Sequence, residues 1–214
     1  FYLSNHQRKL LAKKHKTNLF ETRGVPGTHN LKLLSQTIRN LKNNKFPLFL
    51  PVFDKVADNK KKYQRKVNKV DLIILEGWCV GSKPIDPNYL KKNINDLEKI
   101  EDSNLLWRTA YNKALVEYQK VFKKFSYFVF IKIPNWKFVI DWKYKQELGL
   151  RSSNSNNHLK KKLYRFIQFY EKLSKWMYLT SPNDCNVVIT LDKKQTAKKI
   201  KLEDALIKIL SSPN

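Results

Sequence analysis

Apolar residues gather into three short runs rich in β-branched and aromatic side chains: 70–75 (VDLIIL), 127–133 (YFVFIKI) and 187–191 (VVITL). Runs of this length and composition predict buried strands. A fourth run, 47–53, carries two prolines. It predicts at best an edge strand or a broken one, because proline has no N–H for a ladder. Between the runs the apolar spacing becomes helical. Leu31, Leu34, Ile38 and Leu41 share one face. So do Leu106, Ala110, Ala114, Tyr118 and Val121, preceded by the cap candidates Asp102 and Ser103. A third helix is predicted over about 158–178, with Leu163, Phe166, Ile167, Tyr170 and Leu173 on its apolar side. Strands alternating with helices predict right-handed crossovers and an α/β fold whose mainly parallel sheet is covered on both faces. Segments 22–30 (TRGVPGTHN) and 151–157 (RSSNSNN) read as loops, and no repeat or linker divides the chain.

Composition narrows the class. A length of 214 residues fits a single domain, and an apolar fraction of 42% with 13% aromatics excludes a disordered tail. Two cysteines, Cys79 and Cys185, are too few for a disulfide scaffold or a four-cysteine zinc site. No apolar run reaches the ~18–20 residues of a membrane span. The first residues lack the basic and then apolar pattern of a signal peptide, so a cytoplasmic location is expected. The chain starts at Phe1 and its single methionine is Met177. Phe1-Tyr2-Leu3 reads like the end of a buried strand, so an N-terminally shortened chain is expected.

Charge changes the picture less than its size suggests. Forty-three Lys+Arg against 18 Asp+Glu give a net charge of +25, which invites a nucleic-acid partner. However, 36 of the basic residues are Lys and 7 are Arg, and there are 20 Asn. Lys and Asn are what an AT-rich coding sequence enriches, whereas base readout leans on the planar fork of Arg. The lysines are also spread along the whole chain. Compositional drift together with a phosphate-bearing ligand is the preferred reading, and a nucleic-acid binder is the disfavoured one.

Candidate chemistry lies at segment ends. In open parallel sheets ligands bind at the carboxyl ends of the strands. The run ending at Leu75 delivers Glu76-Gly77-Trp78 there. A strand-end carboxylate followed by glycine is how phosphate-transferring enzymes place an acid near magnesium; a solvated acid is the plain alternative. In 22–30, Arg23 sits beside Gly24, Pro26-Gly27 forms a turn pair, and Thr28 and His29 precede a helix. That order can turn an Arg and backbone N–H groups toward an anion, or it can be a plain surface turn. Asp54 and Lys55 follow the fourth run, where a salt-bridged loop is the alternative. The four histidines have no ligand spacing, and Cys79 reads as a buried filler. Segment 77–83 (GWCVGSK) is one residue short of a phosphate-binding loop, and its Ser precedes its Lys.

Taken together, seven segments in order resemble the D-glycerate 3-kinase family of P-loop kinases. They are 1–3 (FYL), 23–29 (RGVPGTH), 50–55 (LPVFDK), 74–81 (ILEGWCVG), 93–102 (NINDLEKIED) with Trp107-Arg108, 142–147 (WKYKQE) and 166–172 (FIQFYEK). Asn30 stands where the family has Asp, and Lys143 where it has a lid arginine. The resemblance implies a three-layer P-loop kinase fold over 1–214, with a lid at about 141–160. It implies transfer of the ATP γ-phosphate to D-glycerate or a similar hydroxy acid, with Mg²⁺ as cofactor. Carried over, Glu76 stands near the metal. Arg23, Thr28, His29, Asp54, Lys55 and Arg65 line the acceptor pocket. Arg108, Lys143 and Arg151 clamp phosphates, Lys143 also acting in catalysis. The family's phosphate-binding loop is expected upstream of Phe1, so this chain alone is expected to be inactive. The alternative is a non-catalytic kinase-like module that binds an anionic metabolite or a partner.

Overall fold

The computed structural model describes residues 1–150 and 157–203, which form two compact units. The first unit comprises Phe1–Lys92 and Asp102–Phe125, and the second Asn93–Glu101 with the described residues from Ser126 onward.

The first unit begins with α1 (Asn5–Lys14), opened by a reciprocal capping box. The Ser4 hydroxyl accepts from the Gln7 amide, and the Gln7 side chain accepts from the Ser4 amide. A 3-10 turn at Asn18–Glu21 follows, and its Leu19 and Phe20 are buried. Helix α2 (Leu31–Lys42) confirms the predicted face: Leu34 and Ile38 join Val121 in a cluster flanked by Phe1, Leu31, Leu75 and Phe125. Asn30 caps this helix by accepting from the Leu33 amide at 2.9 Å, a task that Asn performs as well as Asp. Strands β1 (Leu48–Asp54) and β2 (Asn59–Val67) pair as an antiparallel hairpin. The short α3 (Pro87–Lys91) is capped by Asp86.

Helix α4 (Leu106–Phe122) buries Trp107, Tyr111, Leu115, Tyr118, Val121 and Phe122. Tyr118 and Val121 are buried as predicted, but in the first half of the helix the inward stripe lies one position on, at Trp107, Tyr111 and Leu115, and Leu106 is exposed. The large aromatics at 107 and 111 remove more apolar area from water than Leu106 and Ala110 would, and they set the rotation. Leu105, in the left-handed region, precedes the helix in place of a side-chain cap. The predicted cap residue Asp102 still accepts from the Trp107 amide at 2.8 Å and the Arg108 amide at 3.1 Å.

The second unit contains a π-helical turn at Leu97–Glu101, then β3 (Val129–Lys132), α5 (Lys137–Leu150), α6 (Asn157–Thr180), β4 (Val187–Leu191) and β5 (Ala197–Leu202). Strands β3 and β4 are parallel, Val129 opposite Val187, and β5 returns antiparallel to β4. Helix α6 buries Leu163, Ile167, Leu173 and Met177.

The expected mainly parallel three-layer sheet is not what forms. Among the described residues there are a two-stranded and a three-stranded sheet, in a mixed α/β fold. Segment 70–75 is not a strand. Leu72 and Ile74 are exposed, and Val70, Ile73 and Leu75 are only half-buried. A strand exists only where a neighbour completes its ladder, and apolar composition cannot supply that neighbour. No described helix is long and apolar enough to cross a membrane.

Candidate functional site

The site grows out of segment 22–30 in the first unit. Gly27 takes φ +95, which an L side chain rarely adopts, and its N–H donates to the Tyr118 hydroxyl at 3.0 Å. The Thr28 hydroxyl donates to the Val25 carbonyl at 2.7 Å and accepts from the Gly24 amide at 2.9 Å. Thr28 is fully buried, so its side chain holds the loop's shape and does not face a ligand. The loop is tied to the chain start: the Leu3 amide donates to the Thr28 carbonyl, the Asn30 amide donates to the Phe1 carbonyl, and Tyr2 bridges His29. The expected strand end at 1–3 is thus a single antiparallel bridge.

That bridge creates a centre the sequence did not reveal. The Tyr2 ring lies 5.1 Å from the His29 ring and edge-on to Phe53 at 5.0 Å. Burial raises the Tyr2 phenol above its usual range, the Arg23 charge pulls it down, and Cys79 and Glu76 push it up. The Arg23 and Glu76 charges thus shift this one hydroxyl in opposite senses. Both residues belong to the first unit, whose one sheet among the described residues is the antiparallel pair β1–β2. His29 is pulled down to about 4, chiefly by burial, and its Nδ1 lies 2.6 Å from the Tyr118 hydroxyl. The Gly27 N–H donates to that phenol oxygen, so the phenol O–H is left to donate to Nδ1 of a neutral imidazole. Cys79 is buried and its thiol is pushed up to about 12, which removes it as a nucleophile.

Arg23 donates to Asp58 Oδ1 at 2.5 Å and lies 5.9 Å from the Phe53 ring centre. Asp58 sits beyond the end of β1, and nothing in the sequence marked it. Asp54, expected in the pocket, instead organises the hairpin turn. Its Oδ1 accepts from the Val56 and Ala57 amides at 2.9 and 3.0 Å, bonds that hold its carboxyl below the usual range. Lys55 and Arg65 are exposed on the same hairpin. Glu76 is exposed, with no hydrogen bond or ion pair among the described residues.

The expected phosphate clamps find other surroundings. Arg108 is wholly buried: it donates to Asp102 Oδ2 at 2.7 Å, to the Asp102 carbonyl at 2.8 Å, and to the Leu90 and Lys92 carbonyls. A guanidinium so enclosed braces the turn before α4 and is not presented to a ligand. Lys143, on α5 of the second unit, pairs with Glu147 at 2.8 Å and donates to Gln146. Arg151 lies outside the described residues. Among the described residues no group of three or more His, Cys, Asp or Glu could hold a metal ion. Glu76 offers one carboxylate, which is what magnesium takes when phosphate oxygens and water complete its shell. The chain's five glycines include no spacing that cradles ATP phosphates, so the residues present do not fit ATP on their own.

No family model matches the chain. It is 26% identical over 182 residues to the uncharacterized kinase mug58 of Schizosaccharomyces pombe, covering 79% of this chain and 64% of the relative. It is 28% identical over 188 residues to the probable ATP-dependent kinase TDA10 of Saccharomyces cerevisiae, covering 79% and 61%. It is 27% identical over 213 residues to the chloroplastic D-glycerate 3-kinase of Arabidopsis thaliana, covering 90% and 44%. The chain thus spans less than two thirds of the length of these relatives. Its fold matches that of D-glycerate 3-kinase from Cryptococcus neoformans var. grubii with a TM-score of 0.75 at 20% identity, over 95% of this chain and 77% of that one. The chain is a distant homologue of D-glycerate 3-kinase and of the TDA10 and mug58 kinases.

Proposed function

We propose that this chain supplies the acceptor-binding part of an ATP-dependent small-molecule kinase, with D-glycerate or a similar small hydroxy acid as acceptor. What supports this reading is the distant homology to such kinases, together with an arginine, Arg23, placed over the Phe53 ring beside Tyr2. Arg23 is the group for the acceptor's carboxylate, because guanidinium and carboxylate pair with directed, charge-assisted bonds. Glu76 is the group for Mg²⁺ and the phosphate side. Neutral His29 and the aromatic faces of Tyr2 and Phe53 shape the wall between them. Magnesium, when bound, supplies charge neutralisation at the transferring phosphate. Phosphoryl transfer is proposed only for a protein that also carries a phosphate-binding loop. For this chain alone the proposal is acceptor binding, and here the second reading, a non-catalytic anion-binding module, gives the same expectation.

The test is an assay of the longest available product with ATP, Mg²⁺ and a panel of small hydroxy acids. Glu76→Gln should lower turnover about 100-fold or more while acceptor affinity stays within about threefold, as expected for an interaction made only in the transition state. Arg23→Ala should weaken acceptor binding by about 10- to 100-fold, the worth of one charge-assisted hydrogen bond. Equal and small effects of both would mean that the site lies elsewhere. Acceptor binding without turnover in a loop-containing product would select the non-catalytic reading.

A further inference from the structure

Asp58 takes a left-handed backbone conformation, φ 50, which Asp tolerates better than most residues. Its two carboxylate oxygens face two arginines: Oδ2 accepts from Arg8 Nη2 and Oδ1 from Arg23 Nη1. Arg8 has no exposed surface. Its other donors are fixed on main-chain oxygens, Nε on Glu21 at 2.8 Å, Nη1 on Leu3 at 2.8 Å and Nη2 on Asp58 at 3.2 Å. Arg8 and Arg23 lie 6.0 and 5.9 Å from the centre of one Phe53 ring. Two guanidiniums over an aromatic face, each holding one oxygen of the same carboxylate, make a slot sized for a carboxylate.

Asp58 has the character of a ligand in that slot more than of a strut. Its side chain is 36% exposed, and its neighbour Val56 is 99% exposed. The hairpin turn does not depend on it, because Asp54 already holds the Val56 and Ala57 amides. The Asp58 contact therefore fastens a self-supporting tip to the unit's interior. The slot adjoins Tyr2, whose ring meets Phe53 edge-on at 5.0 Å.

We infer that Arg8 and Arg23 form a carboxylate-binding slot filled in the resting chain by Asp58, and that the carboxylate of a small hydroxy acid displaces Asp58 and frees the hairpin tip. This rests on the acceptor-site reading above and adds a second arginine and a competing internal ligand to it. The ligand class is a small monocarboxylate, one oxygen for each guanidinium.

The test is amide hydrogen exchange over residues 55–60, with D-glycerate, acetate, glycerol and inorganic phosphate as probes, on the wild-type chain and on Asp58→Asn. In the wild type, saturating carboxylate should speed exchange at the tip about fivefold or more, and glycerol should leave it unchanged. In Asp58→Asn the tip should exchange fast without ligand, and D-glycerate or acetate should bind about tenfold more tightly, since the competing state is gone. A carboxylate that binds the wild type without loosening the tip overturns the slot. So does weaker binding by Asp58→Asn, which would make Asp58 a positioning residue for Arg23. So does failure of both forms to bind any carboxylate. Should Asp58→Asn fail to fold, the wild-type comparison of D-glycerate with glycerol still decides. Turnover of D-glycerate with an unmoved tip sinks the slot and leaves the kinase reading. A carboxylate that frees the tip but is never phosphorylated by a loop-containing product does the reverse.

Discussion

Burial lowers the His29 imidazole to about 4, so the ring is neutral at physiological pH and can accept the Tyr118 proton. The sign of the linkage follows. Unfolded His29 takes up a proton below about 6.5, and folded His29 only near 4. Between those values the unfolded chain binds more protons, so stability rises with pH across the window. The contribution is complete above about 6.5 and is lost as pH falls toward 4, with a size on the order of 3 kcal/mol. Denaturant titrations at several pH values should show this slope, and His29→Gln should flatten it. An unchanged slope in that variant would show that His29 does not titrate as the geometry requires. Tyr118→Phe should cost about 1–2 kcal/mol, because the Gly27 N–H loses its acceptor. Thr28 and Arg108 show the limit of motif reading at this scale. Both lie in segments that resemble the kinase family, yet both side chains are consumed by internal hydrogen bonds.

Two of the segments carrying the family resemblance turn out to be partners of each other in the second unit. In 93–101, the Leu97 amide donates to Gln168 Oε1 at 3.1 Å, and Asn95 donates to the Gln168 carbonyl and to Glu171. Buried Glu98 faces buried Lys172 at 3.3 Å. The two segments thus meet where a π-helical turn docks on α6. Removing one partner leaves the other charge buried, so Lys172→Met should cost about 3–5 kcal/mol by urea denaturation. Pairing it with Glu98→Gln should restore a large part of that loss, because the uncompensated carboxylate is gone. A cost under about 1 kcal/mol for the single change would show the pair to be hydrated. On the same scale, β5 shows how context overrides composition. Half of its sequence AKKIKL is exposed lysine, yet it forms a strand because β4 offers an antiparallel edge.

For the molecule as a whole, a charge of +25 spread mostly over lysines predicts binding to polyanions that is non-specific and salt-sensitive. Affinity for duplex DNA should fall with a log–log slope near −0.9 per phosphate neutralised. Acceptor binding at the Arg8–Arg23 slot should change far less, because partly buried pairs are screened weakly. DNA affinity that survives about 200 mM salt and differs between sequences would revive the nucleic-acid reading.

The sequence by itself determined that helices would run over the regions of α2, α4 and α6, and much of which faces would be apolar, since periodicity and caps are local properties; α1, α3 and α5 were not read from it. The α2 face, the β4 boundaries and the loop at 22–30 were legible in that way, as was the kinship carried by short segments in fixed order; the expected loop at 151–157 falls almost wholly outside the described residues. It also proposes Arg23, His29 and Glu76 as site residues, since polar residues beside glycine turns stand out. Tertiary structure alone decided which strands found neighbours and which charges were enclosed. It left 70–75 without a ladder, buried Arg108 against Asp102, and joined Asp58 to Arg8 and Arg23 across 50 and 35 positions of chain. Hydrogen-bond completion and desolvation are sums over neighbours in space, and no window along the chain contains them.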